Sequence, residues 1–242
     1  MMSFSFSLPR VIKKLKRAVM VYLPRPNTIA YAGKSAYIEF PVFMSSPKDV
    51  VMEEYTRLRQ GSKLLNSEGN VITIKKYTVI SMNCMIVTNN HKSTVGIPQI
   101  FLGISGINDV MHNTMIHEDV WIGANVSIIC VDNIGRGAIV GACSTVKKDI
   151  PPYALVVGSP ARIVGVKFSI DEIVEHEKVL YAEEERLSRE YLEQLFETQY
   201  KGIKTYGVRT VFDDGQIDRL RYCMLQRGFS DDGYLEKVKG IK

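Results

Sequence analysis

Residues 115–150 read MIHEDV WIGANV SIICVD NIGRGA IVGACS TVKKDI when cut in sixes. Ile116, Ile122, Ile128, Ile134, Val140 and Val146 recur at every sixth position. Four places after each stands a second, often smaller residue: Val120, Val126, Asp132, Ala138, Ser144 and Ile150. Neither a helix of period 3.6 nor an alternating strand gives that spacing. A solenoid of short strands and tight corners does, with one aliphatic side chain pointing inward on each face and a small one beside the turn. Gly123, Gly135 and Gly141, each directly after an aliphatic, are expected to keep the corners tight.

Working upstream, the same phase is readable at Ile74, Ile80 and Ile86, and at Met52, Leu58 and Leu64 after a slip of the frame across SEGN, residues 67–70. Three hexads make one triangular coil, so about four coils are expected, with the β-prone pieces of residues 27–50 consistent with an irregular first coil. Ile86 and Ile116 stay in frame although the pattern fails over residues 92–115. That stretch is therefore expected to be a loop extruded between coils. It carries Ile100, Phe101, Leu102 and Ile104, more apolar surface than a solvated loop tolerates, and is expected to pack on a neighbouring subunit or wall an acceptor pocket.

The repeat resembles that of the hexapeptide-repeat acyltransferases, and the resemblance continues through TVKKDIPPYALVVGSPARIVG at 145–165, a segment similar to the one that closes the helix in sugar, serine and xenobiotic O-acetyltransferases. It implies a mainly β fold, a left-handed parallel β-helix. It also implies an acetyl-CoA-dependent enzyme, a homotrimer whose donor lies between subunits, no metal, and a sugar or other hydroxyl-bearing small-molecule acceptor. Within it, His91 in VTNNHKS is the expected general base, since a hydroxyl needs its proton removed as it attacks a thioester and imidazole titrates near neutrality. Matching VWIGANV, IVGACSTVKKDIPP and GSPARIVG carries over Ala124 and Ala142 as pantetheine contacts, Lys147, Lys148 and Arg162 as contacts to the phosphates or ribose, and Trp121 as an outward side chain lining the cleft. An upstream asparagine used by some members has no clear counterpart near Asn66, where the frame slips. The expected acceptor is a glycan-precursor hydroxyl in polysaccharide biosynthesis; a xenobiotic alcohol of the chloramphenicol or streptogramin type is the alternative.

Two rivals use the same features. His112 and His117 have the five-residue spacing of two zinc ligands in γ-class carbonic anhydrases, with His91 as a third, but His112 falls in the expected loop rather than in a continuous coil. A non-catalytic scaffold would share the repeats without using His91.

The rest of the chain sets the frame for these readings. Net charge is +5, yet residues 1–25 carry six Lys or Arg and no acid, leaving 25 basic against 26 acidic residues, so the body is neutral and a nucleic-acid partner is not indicated. Within residues 1–26, LPRVIKKLKRAVMVYL (8–23) places Leu8, Val11, Ile12, Leu15 and Val19 on one helical face, a basic amphipathic helix too short to span a bilayer but suited to peripheral contact or docking. Cys84, Cys130, Cys143 and Cys223 lack any paired spacing and read as reduced thiols of a cytoplasmic protein, three of them in small buried repeat positions. The β-helix is expected over 27–168 and a helical extension over 169–242. Ser169 with Glu172 is the expected capping box of one long helix reaching about residue 200, and a further helix is expected to end near Gly228.

Overall fold

The computed structural model describes residues 11–13, 15–16, 19, 29–231 and 233–240. The chain divides into two compact units, one formed by the chain to Pro152 together with Val156–Arg162, the other by Tyr153–Leu155 with Ile163–Lys242.

In the first unit, fifteen short strands wind through three parallel sheets in strict rotation. The first sheet takes β1 (Tyr31–Ala32), β4 (Val50–Met52), β7 (Ile72–Ile74), β12 (Thr114–Ile116) and β15 (Asn133–Ile134). The second takes β2 (Tyr37–Ile38), β5 (Arg57–Leu58), β8 (Val79–Ile80), β13 (Trp121–Ile122) and β16 (Ile139–Val140). The third takes β3 (Phe43–Met44), β6 (Lys63–Leu65), β9 (Met85–Val87), β14 (Ser127–Ile129) and β17 (Thr145–Val146). The three sheets are parallel and their strands follow one another in rotation, the first row of them lying where the sequence suggests an irregular coil. The first turn is regular and in hexad phase at Ala32, Ile38 and Met44, but Ala32 is too small to mark an aliphatic position.

Register explains why the six-residue period was so legible. Met52, Ile74, Ile116 and Ile134 lie directly above one another in the first sheet, Leu58, Ile80, Ile122 and Val140 in the second, and Leu64, Ile86, Ile128 and Val146 in the third. All twelve are essentially inaccessible to solvent. Each aliphatic contacts its counterparts in the coils above and below, so the core is three ladders of branched side chains. Of the secondary positions, Asp132 faces solvent and the preceding Val131 is buried instead.

The corners are built differently from expectation. Gly123, Gly135 and Gly141 do not hold the left-handed conformation; that falls two positions on in the hexad, at Asn83, Asn125 and Cys143 on one edge and at Tyr77, Asp119 and Gly137 on another. The glycines serve close approach. A Cβ on Gly123 would lie 2.6 Å from the backbone nitrogen of Ala142, and one on Gly135 2.5 Å from that of Pro152. Their absent side chains let successive coils meet at strand spacing. The cysteine expectation changes accordingly: Cys84 is buried, whereas Cys130 is half-buried and Cys143 exposed because both occupy left-handed corners.

The frame slip at 67–70 is a turn closed by the Asn70 amide on the Ser67 carbonyl, with Gly69 at positive φ. Residues 92–115 are not a plain loop. Asn89–His91 (β10) pairs antiparallel with Asp109–Met111 (β11), and the segment between them holds helix α1, Gln99–Ser105. Leu102 is its buried anchor; Ile100, Phe101 and Ile104 face solvent.

The second unit contains α2 (Ile170–Leu180), α3 (Arg189–Gln199), α4 (Asp214–Leu225) and α5 (Tyr234–Lys239). Ser169 and Glu172 form the capping box, each side chain accepting from the other's backbone N–H. The expected single helix to residue 200 is two, broken at Tyr181, and Leu192 and Leu195 are the buried residues of α3. Glu177 fixes the break: one carboxylate oxygen accepts from Tyr153 Oη and the other from the Leu187 amide. The tail beyond residue 203 holds two helices, which bury Ile217, Leu235 and Val238 against Val179 and Leu220. Of the basic amphipathic segment, residues 11–13, 15–16 and 19 are helical; its remaining positions lie outside the described residues.

Candidate functional site

His91 ends β10, and its partner in the antiparallel register is Asp109 on β11. Directly opposed residues share a face, with Cβ atoms about 5 Å apart. Here the result is a hydrogen bond of 2.7 Å between His91 Nδ1 and Asp109 Oδ1. A carboxylate only accepts, so Nδ1 is the donor, which in the neutral ring leaves the lone pair on Nε2. The Asp109 side chain is 9% exposed against 37% for His91, so the carboxyl is sheltered while the imidazole is open. Gln99 at the start of α1 donates to the His91 carbonyl, tying the helix to the strand. Gly103 lies one turn further: a Cβ there would stand 3.9 Å from Nε2. Sequence reasoning missed Asp109, eighteen residues from His91; the signal lay in the pairing of NNH with DVM, short strands closing the neck of the insertion.

Trp121, Ala124 and Ala142 come together on the outer face of the second sheet. With Arg59, Ser81, Met82, Gly123, Ile139, Val140 and Gly141 they line a cleft of about 310 Å³. Glycine and alanine stacked at 123–124 and 141–142 leave the backbone open to an approaching chain, and Trp121, half-exposed with its indole N–H directed at Ser81 Oγ, forms one wall. Lys147 and Lys148 are exposed at the corner after β17, and Arg162 is exposed on the segment that returns over Thr145. None of these three lines the cleft, and neither does His91.

Asn66 is occupied structurally: it is buried, with Nδ2 donating to the Ser46 and Asn70 carbonyls and Oδ1 accepting from the Ser46 amide. The other histidines are engaged separately. His112 Nδ1 lies 2.8 Å from Asp132 Oδ1, and His117 Nε2 3.3 Å from Asn133 Oδ1. Among the described residues no three His, Cys, Asp or Glu side chains are grouped to hold a metal ion. Beside His117, Glu118 is nearly buried between Lys75 at 3.2 Å and Arg136 at 3.1 Å. Burial alone would raise its pKa, but backbone N–H donation and the two cations outweigh it, so the carboxyl sits below its ordinary value.

No family model matches the chain. A chloramphenicol acetyltransferase from Klebsiella aerogenes is 44% identical over 61 residues, 25% of this chain and 29% of that enzyme. The bifunctional protein GlmU of Thermotoga maritima is 32% identical over 129 residues, covering 48% of this chain and 28% of that one. The chain thus spans less than a third of the length of these curated relatives. A solved hexapeptide-repeat-containing acetyltransferase from Vibrio cholerae superposes with a TM-score of 0.53 at 25% identity, over 64% of this chain and 87% of that one. A maltose O-acetyltransferase from Clostridium difficile shares the fold, with a TM-score of 0.50 at 21% identity, over 66% of this chain and 86% of that one. In fold and in local sequence the chain is similar to the hexapeptide-repeat acetyltransferases.

Proposed function

We propose that this protein is an acetyl-CoA-dependent O-acetyltransferase built on a left-handed β-helix, with His91 as general base and a sugar or glycan-precursor hydroxyl as acceptor. The observation that carries the reading is the His91–Asp109 pair, an oriented imidazole with Nε2 free, held at the neck of the one long insertion in the described repeat. The Vibrio cholerae relative has also been solved complexed with acetyl coenzyme A, which supports the donor.

Acetyl-CoA supplies an acyl group activated as a thioester. Nε2 of His91 accepts the acceptor's hydroxyl proton as that oxygen bonds to the acyl carbon. The imidazolium, stabilised by Asp109, returns the proton to the departing sulfur, leaving an acetyl ester and CoA. Small residues at Gly123, Ala124, Gly141 and Ala142 suit a slender pantetheine arm, with Trp121 beside it. Lys147, Lys148 and Arg162 are the cations for its phosphates. His91 does not line the cleft of its own chain; a closed trimer, in which a neighbouring copy brought its His91 to that cleft, would have three equivalent sites.

A second reading has its own support: the 44% identity to a chloramphenicol acetyltransferase and the exposed Ile100, Phe101 and Ile104 beyond the histidine favour an apolar alcohol as acceptor. Thiol release from acetyl-CoA separates them. Purified protein is tested against sugars, nucleotide-sugars and chloramphenicol-like alcohols with His91→Ala in parallel. Release stimulated by a sugar and lost in the variant supports the first reading; stimulation by chloramphenicol alone supports the second. Acceptor-stimulated release that survives His91→Ala removes the base assignment from both.

A further inference from the structure

We infer that the N-terminal basic helix is a peripheral anchor for an anionic lipid surface. Val11, Ile12, Leu15 and Val19 are helical and exposed, Leu15 by 65%. Their spacing of one, three and four residues gathers them into an arc of about 100°. Lys16 lies on its flank and Lys13 on its far side, and both are exposed. An apolar stripe left in water beside cations has the make-up of a helix that lies in the headgroup plane, its stripe among acyl chains and its lysine stems reaching up to phosphates.

Charge selects the occupant. Residues 1–25 hold six of the chain's 31 Lys and Arg and none of its 26 acids, while the remainder is balanced. A second copy docking stripe to stripe would bring two segments of like charge together; an anionic bilayer neutralises them. A nucleic acid would satisfy the charge but leave the aliphatic stripe unused. No helix among the described residues is long and apolar enough to cross a membrane.

The test is co-sedimentation of the full chain with phosphatidylcholine vesicles, with and without phosphatidylglycerol, at low and high salt. Partitioning that rises at least about tenfold with the anionic lipid and falls with salt is expected. Lys13→Gln with Lys16→Gln should weaken it about thirtyfold, and Leu15→Asp at least about tenfold. These side chains are exposed, so unchanged thermal melting verifies each variant; were Leu15→Asp to melt early, the lysine pair carries the test alone. Equal binding to both vesicle types, or variants that bind like the parent, overturns the proposal. So does binding to a single-stranded RNA oligonucleotide that Leu15→Asp leaves intact, and so does an oligomer size, by light scattering, that Leu15→Asp reduces.

Discussion

Replacing Gly123 by alanine adds one methyl group where two coils already touch. The new carbon would stand 2.6 Å from the Ala142 nitrogen and 2.9 Å from the Val140 oxygen, and it has backbone rather than a movable side chain to push against. Restoring a contact of about 3.4 Å requires the coils to part by about 0.8 Å. Two ladder bonds cross that gap, Gly123 N–H to the Val140 carbonyl at 2.8 Å and Cys143 N–H to the Ala124 carbonyl at 2.9 Å, and both would stretch beyond hydrogen-bonding range. Overpacking costs about 2 kcal/mol and each weakened bond about 1 kcal/mol. The lower entropy of the unfolded alanine chain returns about 0.7 kcal/mol, for a net loss of about 3 kcal/mol. For a chain of this size that is a fall in melting temperature of about 6–12 °C, read by circular dichroism or calorimetry. Gly135→Ala, 2.5 Å from the Pro152 nitrogen, should behave alike, whereas Gly141→Ala meets chiefly the Cγ1 of Val157, which can rotate away, and should cost markedly less. A Gly123→Ala protein that melts with the parent, or a Gly141→Ala protein that loses as much, would refute the assignment of these glycines to coil-to-coil approach.

Three further outcomes are expected. Asp109→Asn should lower kcat for acetyl transfer by roughly a hundredfold, because an amide can donate to Nδ1 and move the imidazole proton onto Nε2; KM for acetyl-CoA, measured in the same assay, should stay within about twofold, Asp109 being outside the cleft. Gly103→Ala should stabilise α1 by up to about 1 kcal/mol, whereas Gly103→Leu should crowd Nε2 and raise the acceptor's KM far more than the donor's, as initial-rate kinetics would resolve. Since the folded-state pKa of Glu118 is depressed, its contribution to stability is present above the unfolded value of about 4.3 and is lost as pH falls through the lower folded value; the gap in melting temperature between the parent and Glu118→Gln should therefore narrow in acid, and a gap that widened would contradict the ion-pair geometry.

How much of this was legible follows from which interactions repeat. Parallel in-register stacking puts equivalent side chains in equivalent places, so Ile116 to Val146 announce the core directly, and Met52 to Ile86 extend it across the slip. The first turn was legible only as an irregular coil because it lies at the end of the stack, where Ala32 and Ile38 are only half-buried and the pattern need not be strict. Ala124, Ala142 and Trp121 line one cleft because stacked corners bring equivalent residues together, although the expectation for them came from the resemblance rather than from the period. Asp109 was not, because the pairing that brings it to His91 belongs to an antiparallel neck outside the repeat, with no period to mark it. The long-helix reading after Ser169 failed on a single buried acid: Glu177 takes the Leu187 amide, a local competition that apolar periodicity does not register.

The insertion also shows why a repeat can carry chemistry without losing its core. Ile86 pairs with Ile128 and Ile74 with Ile116 as though residues 88–113 were absent, so both ladders run uninterrupted past the point of departure. Loop closure grows only slowly with length, by about 0.6 kcal/mol per doubling, so the segment can lengthen or change at little cost to the coils. What must stay rigid is its neck, and that is where the paired strands hold His91 against Asp109. The tip, anchored by Leu102 and presenting Ile100, Phe101 and Ile104, answers to no core constraint. His91 is thus fixed by the fold while the exposed tip is left to vary, a division of labour that suits one architecture whose relatives carry such different names.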